Sequence, residues 1–113
     1  MRLSQAEVES IILALKSFIK SNNAKLFLFG SRVRDDIKGG DIDLLLLTND
    51  DELADELLSD KHKMLASIKK KIGDQKIDLI IRSSIRDRND NFLVMILPKA
   101  ILLDEFRGSN LYK

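Results

Sequence analysis

The chain has no cysteine, which removes disulfides, thiolate catalysis and zinc-thiolate sites together. It also lacks an excess of charge of either sign, with 19 Lys and Arg against 18 Asp and Glu. Such a balance gives no global field to draw nucleic acid or an anionic membrane, so direct nucleic-acid binding is not expected. No apolar run approaches the roughly 20 residues that a bilayer span needs, and the N-terminus lacks a signal-peptide core. The expectation is a soluble, cytoplasmic protein with no membrane partner. Neither GxxxxGK[ST] nor GxGxxG occurs, so P-loop and Rossmann readings fail. An EF-hand loop fails as well, because Leu45 and Leu47 stand where oxygen ligands are needed.

What is present fits a single domain, residues 1–113. That length can bury one core but not separate substrate-binding and catalytic domains. Ser4, with Glu7 three residues on, reads as a capping box. Val8, Ile11, Ile12, Leu15, Phe18 and Ile19 follow at helical spacing, and Ser21-Asn22-Asn23 ends the segment. Lys25 to Phe29 reads as a short buried strand, and Gly30-Ser31 turns into a brief helical or irregular piece through Ile37. Gly39-Gly40 breaks that piece, as a turn before the next strand. Ile42 to Thr48 is a second strand, apolar on both faces beyond its tip and so placed inside the sheet. Asn49 or Asp50 caps a helix carrying Leu53, Leu57 and Leu58. A break near Ser59-Asp60 precedes another helix with Met64, Leu65, Ile68 and Ile72, stopped by Gly73. Lys76 to Arg82 is a third strand. Arg86 to Leu97 reads as helical until Pro98, and Ala100 to Leu103 as a short extended closing piece. The whole is an α/β, or α+β, domain.

Its strands are interrupted by three aspartates, Asp41, Asp43 and Asp78. A carboxylate in an apolar strand is costly unless a cation or donor stands opposite. Asp41 and Asp43 are two apart on one strand and so project to one face, roughly 7 Å apart at the backbone. Divalent cations prefer hard oxygen ligands of this kind. In two-metal phosphoryl and nucleotidyl transfer such carboxylates bridge the ions, and Asp78 could ligate one of them or take the proton from the attacking hydroxyl. Gly30 permits close approach of backbone to a polyphosphate, and Ser31 offers a hydroxyl and an N–H. Arg32 and Arg34 are open between contact with the leaving pyrophosphate and a solvated helix face.

Phe29-Gly30-Ser31, then nine intervening residues, then Asp41-Ile42-Asp43-Leu44, and later Ile77-Asp78-Leu79, resembles the signature of the DNA polymerase β-type nucleotidyltransferase superfamily. The Gly-Ser-Arg-x-Arg start and the short length are similar to its minimal branch, the MNT proteins. The resemblance covers about Leu26 to Arg82. It implies the minimal polymerase β-type fold, a mixed sheet flanked by helices. It also implies ATP as nucleotide donor and magnesium, two ions, as the metal. By the family's pattern Gly30 and Ser31 hold the triphosphate, Asp41 and Asp43 the magnesium, and Asp78 is the third carboxylate. The branch is commonly paired with HEPN-domain toxins, so the implied role is an antitoxin that transfers AMP to a tyrosine of its toxin. Relatives often follow the arginine with Gly or Ala and place Ser before the first aspartate. Here Asp35-Asp36 and Gly40 stand at those places.

Other features read more plainly. Asp50-Asp51-Glu52 is a helix N-terminus, His62 an exposed helix residue without a companion ligand, and Lys69-Lys70-Lys71 a solvated face. Leu111 and Tyr112 are open between a frayed tail and a docking strip. Two further functions stay open beside the enzyme that modifies a protein. One is an antitoxin that neutralises its toxin by binding alone; the other is an aminoglycoside-type enzyme acting on a small molecule. The second lacks a further domain to form an acceptor pocket.

Overall fold

The computed structural model describes residues 3–19, 24–33 and 41–106. The segment ends Ser21-Asn22-Asn23, Arg34 to Gly40, and Leu111 and Tyr112 lie outside the described residues. The elements run α1 (Gln5–Lys16), β1 (Ala24–Phe29), a 3-10 turn (Gly30–Val33), β2 (Ile42–Thr48), α2 (Asp51–Ser59), α3 (Lys61–Ile72), β3 (Ile77–Ser83), α4 (Asn91–Ile96) and β4 (Ile101–Phe106). This is the expected mixed sheet flanked by helices. Among the described residues no helix is long and apolar enough to cross a membrane.

Local chemistry sets the element boundaries. Ser4 Oγ accepts from the Glu7 N–H at 3.0 Å and Glu7 Oε1 from the Ser4 N–H at 3.1 Å, the reciprocal capping box that starts α1. Asp50 starts α2 by accepting from the backbone of Glu52 and Leu53. Gly73, at φ +93°, ends α3 with its N–H on the Lys69 carbonyl. Lys69, Lys70 and Lys71 lie exposed in that last turn, favourably placed against the negative end of the helix dipole.

The strand order is β3-β2-β1-β4. β1 pairs antiparallel with both β2 and β4, whereas β2 and β3 are parallel. A parallel pair needs a crossover, and α2 with α3 supplies it. β2 is an inner strand, as its two-sided apolar pattern predicts. One sheet face carries Leu26, Leu28, Ile42, Leu44, Leu46, Leu79 and Ile81, which pack with α1, α2 and α3 into the main core. The other face carries a small second core of Phe29, Leu45 and Leu93, with Phe27, Ile80 and Phe92 against it. α4 covers only part of that face, leaving the start of β2 and β3 open beside the end of β1.

The closing strand extends further than the sequence pattern suggests, to Phe106, and runs along the free side of β1. Its register shifts between Leu26 and Phe27, where Leu103 forms the extra residue between Leu102 and Asp104.

Candidate active site

On β1 and β2, Phe29 stands opposite Asp43; on β2 and β3, Asp43 stands beside Asp78. The two aspartates therefore share the less covered face of the sheet. Asp41 precedes β2 by one residue, half-exposed, with Lys76 Nζ 3.8 Å from its Oδ2. That contact is long, and Lys76 is largely in solvent, so it contributes little to stability. The backbone ties the same corner together through the Ile42 N–H on the Lys76 carbonyl at 3.0 Å. Two tripeptides, Asp41-Ile42-Asp43 and Lys76-Ile77-Asp78, thus lie in parallel with their isoleucines paired and buried.

Gly30 leaves β1 at φ +78°, a left-handed conformation that side chains rarely adopt. Space is as restrictive as the torsion. A Cβ on Gly30 would lie 2.2 Å from Asp43 Oδ2 and 3.1 Å from its Cγ. The Asp43 carboxylate thus rests against bare backbone at the first residue of the turn. Ser31 follows in that turn, its side chain outside what the structure describes. Beside Gly30 a cleft of about 190 Å³ is lined by Phe29, Gly30, Val33, Ile96 and Lys99.

Partial burial, then the charge of Asp78, then that of Asp41, push the Asp43 carboxyl above the usual carboxylate range. All three causes act against its ionised form, and a cation placed beside it would offset them by favouring the carboxylate. Among the described residues no three acidic or histidine side chains form a ready metal cage. Magnesium is commonly held by one or two carboxylates together with phosphate oxygens rather than by a full protein cage. An all-oxygen donor set pressed against bare backbone fits an ion shared between Asp43, its neighbours and a polyphosphate.

An arrangement of this kind is suited to phosphate chemistry. A family comparison matches residues 8–103 to the nucleotidyltransferase domain. The chain belongs to the nucleotidyltransferase domain family. With it comes the polymerase β-type superfamily, whose members transfer nucleotides, typically from a nucleoside triphosphate with a divalent metal. Neither the curated proteins nor the solved structures give a match to this nucleotidyltransferase domain.

The structure brings Asp41, Asp43, Asp78 and Gly30 of the nucleotidyltransferase domain to one corner. Arg32 is in the same turn, but its Nη2 donates to Gln75 Oε1 at 3.4 Å; Arg34 lies outside the described residues. His62 is an exposed helix residue, as read. Sequence reasoning missed Lys76 beside Asp41 and Lys99 beside the cleft. The first had a signal, since aligning Lys76-Ile77-Asp78 with Asp41-Ile42-Asp43 in parallel register pairs the lysine with the first aspartate.

Proposed function

We propose that the domain transfers AMP from ATP, with magnesium, to a tyrosine hydroxyl of a HEPN-domain toxin and thereby acts as its antitoxin. The observation that carries the transfer reaction is the pairing of Asp43 with Asp78 while the Asp43 carboxylate lies over Gly30. The choice of partner rests on the resemblance of the short Gly-Ser-Arg-x-Arg chain to the minimal branch.

The bare backbone at Gly30 admits the triphosphate, and Ser31 holds it through its N–H. Arg32 and Arg34 meet the negative charge of the departing pyrophosphate. Magnesium held by Asp41 and Asp43 supplies, when bound, Lewis-acid charge at the phosphate oxygens. The tyrosine oxygen forms its bond to the α-phosphorus as the bond to the bridging oxygen breaks and pyrophosphate leaves with the electron pair. Asp78 is exposed at the open side of the sheet and takes the phenolic proton.

The test is incubation of the chain with α-phosphate-labelled ATP, magnesium and its HEPN partner. Label appears on the toxin, pyrophosphate is released in equal amount, and chelation of magnesium stops both. A toxin that is fully neutralised in a stable complex yet takes up no label would refute transfer and favour occlusion.

A further inference from the structure

Gln75, in the loop between α3 and β3, has both ends of its amide engaged. Its oxygen accepts from Arg32 Nη2 at 3.4 Å. Its nitrogen donates to Glu7 Oε2 at 2.8 Å and to the Ile72 carbonyl at 3.3 Å. The other Glu7 oxygen is in the capping box of α1. A chain of polar contacts thus runs from the first turn of a core helix, through Glu7 and Gln75, to the turn that follows β1.

The amide suits this place for a chemical reason. Its acceptor faces a guanidinium and its donor a carboxylate; the opposite orientation would set like against like at both ends. A carboxylate at this position would repel Glu7, and an ammonium would repel Arg32. Glu7 responds accordingly: the hydrogen bond from Gln75, ahead of the Ser4 contacts, holds its carboxyl below the usual range. Val8 and Ile11, beside Glu7 on α1, are buried in the main core, so the chain is anchored to a rigid body.

We propose that Gln75, with Glu7 behind it, is a positioning residue that fixes Arg32 and the Gly30–Val33 turn and thereby sets nucleotide affinity. The inference rests on the reading of that turn as the triphosphate site. Gln75 touches neither nucleotide nor acceptor; it acts through Arg32.

Two measurements on the whole chain test it: amide hydrogen exchange and calorimetry with magnesium-ATP. In Gln75→Ala, amides 30–33 exchange severalfold faster while those of β2 keep their protection, and the magnesium-ATP Kd rises about fivefold to tenfold. Gln75→Glu sets two carboxylates together and weakens binding at least as much. The double variant Glu7→Gln/Gln75→Glu exchanges the two groups, keeps the capping box because Gln serves there as Glu does, and recovers most of the affinity. Unchanged exchange in the turn of Gln75→Ala overturns the inference. So does a loosened turn with wild-type affinity, or an exchange variant no better than Gln75→Glu alone. Absence of magnesium-ATP binding is read from the wild-type titration by itself, and sinks the triphosphate reading instead.

Discussion

At Asp43 two demands oppose each other, because the carboxylate is placed among like charges on a partly covered face. Its pKa is raised, so ionisation costs the folded state more than the unfolded one. That cost is absent below the unfolded value, near pH 4, and is complete once the pH passes the folded value. Asp43→Asn is therefore expected to raise the melting temperature at neutral pH without metal, by roughly 1–4 °C for a group that keeps some solvent. The gain should vanish in melts run below about pH 4. The same variant should lose the mutual enhancement of magnesium and ATP binding in calorimetry. A neutral-pH melt no higher than that of the wild type would show that Asp43 meets no electrostatic penalty in the fold.

Gly30 makes the complementary case. The sequence shows a glycine, and any Gly-Ser can be a simple turn; only the structure shows that the missing Cβ is the space taken by Asp43 Oδ2. Gly30→Ala carries a torsional cost of about 1–2 kcal/mol for its left-handed backbone, plus the contact with Asp43. In a double-mutant cycle with Asp43→Ala the contact part should disappear and the torsional part remain, giving a coupling of at least about 0.5 kcal/mol. Chemical denaturation of the four proteins measures it. Strict additivity would mean that the carboxylate swings away freely.

Among the elements, α1, α2, α3 and the strands β1, β2 and β3 were legible from capping residues, apolar spacing and Gly73, although α1 ends at Lys16, before the Ser21-Asn22-Asn23 expected to close it. α4 was not. Apolar spacing suggested a helix from Arg86, yet it begins at Asn91. The reason is side-chain competition for backbone donors. Ser83 Oγ accepts from the N–H groups of Ile85 and Arg86, and Asp87 accepts from that of Ser83. Ser83 also donates to Asp51 on α2, so the segment is held as turns until Asp90 caps the helix.

Asp90 does more than cap. It accepts from the Phe92 N–H at 2.8 Å and pairs with Arg82 Nε at 2.8 Å, while the Arg82 guanidinium lies over the Phe92 ring at 5.6 Å. Phe92 in turn meets Phe29 edge-on at 5.4 Å, next to the Gly30 turn. Asp90→Ala should lower the midpoint of urea denaturation measurably, since a cap and an ion pair are lost together. Asp90→Asn keeps the capping oxygen and should lower it less than half as much. Equal losses in the two variants would assign the whole effect to the charge.

For the molecule as a whole, the decisive information lies in strand pairing, which no local pattern specifies. The spacing of Asp41 and Asp43 could be read from the chain, but Asp78 joins them only because α2 and α3 return β3 parallel to β2 in a register that sets Asp43 beside it. That division of labour predicts different consequences for the aspartates. Asp43 rests against the backbone of the turn proposed to hold the triphosphate, so its loss should weaken nucleotide binding. Asp78 is exposed, and its proposed task is the proton of the attacking hydroxyl. Asp78→Asn should therefore bind magnesium-ATP within about twofold of the wild type, while the transfer rate falls by about two orders of magnitude or more. It should still form the complex with the toxin on a sizing column and, if modification is how the toxin is disarmed, fail to protect cells. A folded Asp78→Asn chain that transfers nothing and yet protects fully would overturn the enzymatic account. Neutralisation would then reside in the protein surface, with the paired aspartates of β2 and β3 having no part in it.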